Sequence, residues 1–348
     1  VELLPAGIIS EVYKGSFNAD LYYTFAEVNK ALTHSESSKL SYTLDIPRPL
    51  GVVAEHAVLE LLVESRERLI DWKIRVNGVS VSKEFKPVVS VKVGEIYLHK
   101  LIYDVKSILN TPESMNKARV HMTVRHEGGG SIILRAVGFI VAYSHFDAYT
   151  SMKYYTGLLL VGEGERYSLS DVCVDGDSLV DLVAFSPAPV PIVLSNGFNQ
   201  RRILVKGLAN IQLDNSYCGY LEINHEGSNS GGGNPFLVLG VLSKKFSVRK
   251  PSLKLASITP MVSGNEVNIS LRITNEGDAI PDEAMLVVLD KGFVRGVKKI
   301  KPPSPGEVVE ESIKIPLNLM PEGVTLRLVW KKLARTQFED TSVKLAQV

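Results

Sequence analysis

The chain has 348 residues, 45% of them hydrophobic, which is enough for more than one packed core, so two or three domains are expected. Against 38 Asp and Glu stand 39 Lys and Arg, a formal charge of +1 that gives no electrostatic footprint for nucleic acid or an anionic membrane. No apolar stretch approaches the roughly 18 residues of a bilayer-spanning helix, residues 156–161 and 236–242 both being short, so no direct membrane span is expected.

In chain order, Leu3, Leu4, Ile8, Ile9 and Val12 are more apolar than a solvated tail, while Pro5, Gly7 and Gly15 divide them from the first domain. Such side chains need a groove: one in the same chain makes a first strand, one in a neighbouring copy makes a donated strand. A start at Val1 suits a processed, secreted chain and a piece of a longer one equally. Phe25, Val28 and Leu32 fall at helical spacing and predict a short helix over 25–32, with strand left open by the neighbouring residues. Ile70, Trp72, Ile74 and Val76 alternate with Asp71, Lys73 and Arg75, a half-buried strand ending at Asn77-Gly78, the pair favoured in a type I′ hairpin turn. Leu101, Ile102, Val105, Ile108 and Leu109 predict a short helix or turn before Asn110-Thr111-Pro112. Val120, Met122 and Val124 alternate again, and the almost continuously apolar run 132–143 reads as a central strand covered on both faces.

Residues 227–235 are too poor in apolar groups to pack and read as a surface loop. Lys250-Pro251 marks a boundary, since proline cannot continue a central ladder. Beyond it, strands are signalled at 253–258, 267–273, 284–289, 308–315, 324–330 and 341–345, the density of an immunoglobulin-like sandwich. The expected fold is therefore all-β and antiparallel. A jelly-roll-like β-sandwich region covers 1–250, divisible into two sub-sandwiches near 145–155, and an immunoglobulin-like β-sandwich covers 251–348.

Chemistry is sparse. Asp171, Asp175, Asp177 and Asp181 form the densest carboxylate cluster, around Gly176, and such a loop is either a solvated acidic turn or a calcium site. Calcium is the one cofactor suggested. Cys173 and Cys218 either close a disulfide across a 45-residue loop, which implies an oxidising compartment, or stand as two small buried hydrophobes. His121 and His126 would point to opposite faces of a strand, and Tyr143, His145 and Asp147 offer too few ligands for a metal. Ser80-Val81-Ser82-Lys83 and Ser114-Met115-Asn116-Lys117 have S-x-x-K spacing without the context a nucleophile needs, and phosphate loops and nucleophile elbows are missing. These readings make the chain a non-enzyme. Asn268-Ile269-Ser270 is a sequon whose asparagine is a glycosylation candidate on the polar face of its strand. Only four glutamines occur, a scarcity met among thermophile proteins.

Residues 271–278 (LRITNEGD), 287–290 (VVLD), Pro305-Gly306-Glu307 and 326–330 (LRLVW) resemble the secreted immunoglobulin-like modules called cell-adhesion-related domains of bacterial and archaeal surface proteins. That resemblance implies that Asn275 and Gly277 shape the turn after the second strand. Val76-Asn77-Gly78, then 103–109 (YDVKSIL) and 120–124 (VHMTV), resemble galactose-binding-type jelly rolls and a family of unknown function in archaeal surface proteins. Together the resemblances imply an extracellular, cell-surface protein, expected to be archaeal. The first expectation is a self-assembling subunit of a filament or envelope layer, its partner another copy of itself. The alternative is a glycan-binding adhesin module, with Tyr149, Tyr154, Tyr155 and Tyr167 as stacking candidates, and a viral capsid or spike protein is a third.

Overall fold

The computed structural model describes residues 6–34, 37–44, 50–67, 69–227, 233–319, 323–333 and 335–344. The chain divides into two compact units, Val1–Ser247 and Val248–Val348. Unit 1 begins with β1 (Ala6–Phe17), β2 (Ala19–Leu32), β3 (Lys39–Leu44), β4 (Ala54–Ser65), β5 (Ile70–Val76), β6 (Val79–Glu84), β7 (Val89–Val93) and β8 (Ile96–Asp104). Two helical turns, α1 (Lys106–Leu109) and α2 (Pro112–Met115), lead to β9 (Val120–Gly129) and β10 (Ile132–Ser144). The rest of the unit is β11 (Ala148–Val161), β12 (Arg166–Ser170), β13 (Leu179–Ser195), β14 (Gln200–Leu213), β15 (Tyr220–His225) and β16 (Phe236–Val248).

In the first sandwich, a five-stranded sheet β2-β10-β4-β8-β7 packs on a four-stranded sheet β3-β9-β5-β6. Alternation along β5 and β9 delivers Trp72, Ile74, Val76, Val120, Met122 and Val124 to the core, where they meet Leu59, Leu61, Val137 and Phe139 from the facing sheet. Asn77 and Gly78 both have positive φ, +51° and +91°, as the hairpin turn between β5 and β6 requires. The chain over 25–32 is strand, not helix. Two β2 residues, Val28 and Asn29, lie opposite the single Arg135, and Asn29 sits at φ +49°, a β-bulge against β10. Plain alternation sends Val28 and Leu32 into this core and Phe25, an odd number of residues away, to the opposite and also covered face, and apolar residues on both faces imitate a helical spacing.

The second sandwich is one seven-stranded sheet, β1-β11-β16-β13-β15-β12, with β14 along the whole of β13. The first part of β13 pairs β16 and its last residues pair β15, with a register break at 186–190 that contains Pro187 and Pro189. Residues from both parts, including Leu182 and Ile192, share one core, so the sheet closes over itself at that break. β1 pairs with β11 of the same chain from Ala6↔Leu160 to Phe17↔Thr150. This corrects strand donation to a neighbouring copy: Ile9 is buried in the second core, Ile8 and Val12 remain exposed, and Leu3 and Leu4 lie outside the described residues. Side chains at Gly7 or Gly157 would strike the carbonyls of Leu158 or Ile8 at 2.2 Å, so these glycines permit the close pairing.

Unit 2 comprises β17 (Leu253–Ser263), β18 (Glu266–Asn275), β19 (Glu283–Asp290), β20 (Phe293–Ile300), β21 (Val308–Pro316), β22 (Val324–Lys332) and β23 (Arg335–Val343). Its sheets β17-β18-β21 and β20-β19-β22-β23 enclose Leu271, Ile273, Leu286, Leu326, Leu328 and Trp330. The buried Asn275 side chain accepts from the backbone N–H of Ser252 and Gly277 and donates to the carbonyls of Ala279 and Pro303. Four hydrogen bonds thus satisfy every donor and acceptor position it has to hold this turn. Every strand pairing whose register is described is antiparallel, and the fold is all-β.

Candidate functional site

The two sandwiches of unit 1 meet through the face of the five-stranded sheet that points away from its own core. Phe25 from β2 and Leu62 from β4 pack there against Leu158, Val183, Leu237 and Leu239. Into this apolar layer the sequence places Glu60 and Lys100, on neighbouring strands β4 and β8, both fully buried and 2.6 Å apart. The Glu60 carboxylate also accepts from the Tyr154 hydroxyl at 2.6 Å and from Thr156 at 3.0 Å, and Lys100 donates to the Leu239 carbonyl at 3.2 Å. Burial lowers the Lys100 pKa, and the Glu60 charge opposes that shift. Such a pair is tolerable in a dry interface only because each partner is also hydrogen-bonded.

The same interface opens at its edge into a groove of about 320 Å3, lined by Tyr23, Thr24 and Phe25 from β2, Asp181, Leu182 and Val183 from β13, Asn210 and Gln212 from β14, and Lys244 from β16. Asp181 lies directly opposite Gln212 on one side and Leu242 on the other, which puts these side chains on the face toward β2. Asp181 is ion-paired with Lys244 at 2.5 Å, and the Asn210 amide donates to the Phe25 carbonyl at 3.1 Å. Burial first, then the charges of Glu60 and Asp181, hold the Tyr23 phenol well above its ordinary pKa, so it stays a neutral donor. Its hydroxyl is shielded from solvent and lacks a well-formed hydrogen bond. One aromatic edge, a carboxylate, an ammonium and two amides thus converge on a concave surface.

Of the four aspartates suggested for calcium, only Asp181 reaches this groove. Asp171 is ion-paired with Lys153, while Asp175 and Asp177 share Lys245. The carboxylates meet lysines rather than one another, and among the described residues no three His, Cys, Asp or Glu side chains are grouped as a metal would need. Cys173 and Cys218 are joined in a disulfide beside Tyr217 in the second core. Asn268 is half-buried on the outer side of β18, opposite Lys314 of β21. The stacking candidates do not converge: Tyr154 and Tyr155 are buried, and Tyr149 is exposed apart from the groove. The S-x-x-K serine Ser114 is buried and accepts from Asn77, and Lys117 donates to the Asn77 carbonyl, so both brace the hairpin turn.

Sequence reasoning missed Tyr23, Asn210, Gln212 and Lys244, because single polar residues on separate strands carry no local spacing. Among the described residues no helix is long and apolar enough to cross a membrane.

Neither a family model nor a curated protein matches the chain. Solved structures match it at low identity and low TM-score. The Endo-D glycoside hydrolase domain from Streptococcus pneumoniae R6 is 11% identical over 59% of this chain and 34% of that one, with a TM-score of 0.21. PNGase F, a glycosylasparaginase from Flavobacterium meningosepticum, is 11% identical over 66% of this chain and 99% of that one, with a TM-score of 0.25. A DUF4785 family protein from Legionella pneumophila is 11% identical over 100% of this chain and 95% of that one, with a TM-score of 0.21. The chain thus spans about a third of the Endo-D domain's length. Two of these three are enzymes, so the exclusion of enzymatic activity drawn from the missing sequence motifs is withdrawn. At these TM-scores the likeness supplies no activity in its place.

Proposed function

We propose that unit 1 is a carbohydrate-binding unit of an extracellular protein and that a sugar residue occupies the groove between β2 and β13–β14. The observation that carries this reading is the convergence of Tyr23, Asp181, Asn210, Gln212 and Lys244 on one concavity of about 320 Å3. Ligand sites are typically concave, part apolar, and furnished with a few placed polar groups, and this volume lies at the small end of their range. Pyranose hydroxyls both donate and accept, which suits a lining of carboxylate, ammonium and amides, while the Tyr23 ring offers an apolar edge. The disulfide accords with an oxidising, extracellular setting. Filament assembly by strand donation gains no support, because β1 is already paired with β11.

The test is a screen of immobilised oligosaccharides with the full chain, followed by titration calorimetry on Gln212→Ala and Asp181→Asn. Loss of binding in both variants with an unchanged melting temperature is the expected result. A panel without any binder, or a binder indifferent to both substitutions, overturns the proposal. Mass spectrometry of the recovered oligosaccharide separates binding from cleavage.

A further inference from the structure

On the outer face of β3-β9-β5, Lys39, Arg125 and Lys73 stand directly opposite one another on three adjacent strands. Strands lie about 4.8 Å apart, and like charges opposite each other destabilise a sheet. In the next row Ser41, Thr123 and Arg75 are aligned in the same way. Lys39, Arg75 and Arg125 are exposed and Lys73 is half-buried, and among the described residues none of the four makes an ion pair. These cations, with Ser38, Thr123 and Glu127, line a concavity of about 420 Å3. Four positive groups and one carboxylate leave a local excess of three charges, in a chain whose whole formal charge is +1. Several other surface lysines and arginines on the strands carry a carboxylate partner, as Lys298 does with Glu311 and Arg327 with Asp340. Here the cross-strand partners are cations instead.

We infer that this face is a second binding site, distinct from the groove, for an acidic saccharide: a sugar bearing a carboxylate or sulfate group. The anion lies over the Lys39–Arg125–Lys73 row, where it relieves the repulsion among three cations, and Arg75 and Arg125 offer planar forks for bidentate contact. Glu127, Thr123 and Ser38 at the rim accept and donate to ring hydroxyls. A nucleic acid fits less well, since no aromatic side chain lines the concavity to stack a base, and Glu127 repels a run of phosphates.

The full chain is titrated by calorimetry with a galacturonate trisaccharide, a sulfated disaccharide, the neutral galactose trisaccharide, inorganic phosphate and a short single-stranded DNA. Binding of either acidic saccharide, weakened about tenfold by Arg125→Gln, unchanged by Lys254→Gln in unit 2, and declining with added salt, is expected; which of the two binds identifies the anion. Because Arg125→Gln removes a like-charge clash, its melting temperature should equal or exceed that of the parent while affinity falls, a combination that misfolding does not produce. No binding of either acidic saccharide at millimolar concentration, equal binding of the neutral trisaccharide, phosphate or DNA, or an Arg125→Gln variant that binds like the parent each overturns the inference.

Discussion

Lys100 has no exposure to solvent and keeps its ammonium against a single carboxylate, so the pair it forms with Glu60 is balanced between desolvation and attraction. Removing one partner strands a buried charge. Lys100→Met should cost about 3–5 kcal/mol in urea denaturation of the full chain. The double variant Glu60→Gln, Lys100→Met leaves no charge, keeps an acceptor for Tyr154, and should recover most of that loss. Gly138 offers a second check at this scale. A Cβ there would lie 2.2 Å from the Phe25 ring, which rests on the glycine from the neighbouring strand. Gly138→Ala should therefore destabilise by about 1–3 kcal/mol, the usual cost of forcing extra volume into a packed layer, measured by thermal melting.

Elements hold together through registers that such residues specify. β1 is tied to β11 by Gly7 and Gly157, by the Lys153–Glu11 ion pair and by a Ser16–Ser151 hydrogen bond at 2.9 Å. Deleting residues 1–13 should unfold unit 1, read as loss of its cooperative transition, rather than yield folded monomers freed from an assembly. On β22 and β23, Arg327 and Asp340 are directly opposed and joined by two hydrogen bonds at 2.7 and 2.8 Å. Arg327 holds the Asp340 carboxyl below its usual range, first through the hydrogen bond and then through its charge. The unfolded chain then binds its proton at higher pH than the folded one. The stabilisation is complete above the ordinary carboxylate pKa of about 4 and fades as pH falls through the lower folded value. Arg327→Gln should lower the melting temperature slightly at neutrality and leave it nearly unchanged at pH 2, so that its fall between about pH 5 and pH 2 is flatter.

For the whole molecule, the disulfide closes a loop of 45 residues inside the second core, so reduction should destabilise unit 1 by about 4 kcal/mol on loop-closure grounds. Denaturant titration with and without reductant checks this, and the transition of unit 2, which holds no cysteine, should not move.

Strand alternation made the all-β class, the hairpin at Asn77-Gly78, five strands of unit 2 and the end of a sixth legible in the sequence, because period-two burial is written in neighbouring residues. β20 was not legible: it reads Phe-Val-Arg-Gly-Val-Lys-Lys-Ile, mostly exposed, and pairing with β19 rather than burial makes it a strand. β2 reads as a helix for a related reason, since it is apolar on both faces, and the second sandwich that covers Phe25 is supplied only by the tertiary fold. Asp181 was legible as an acidic residue in a cluster, but its partner Lys244 lies on another strand, and Tyr23 belongs to the other sandwich. The row Lys39, Arg125 and Lys73 is likewise invisible along the chain, where each residue is an ordinary outward-facing cation. Local periodicity determined which residues face inward; sheet register alone decided which of the outward-facing ones stand side by side, because cross-strand neighbours are set by long-range pairing and not by sequence distance.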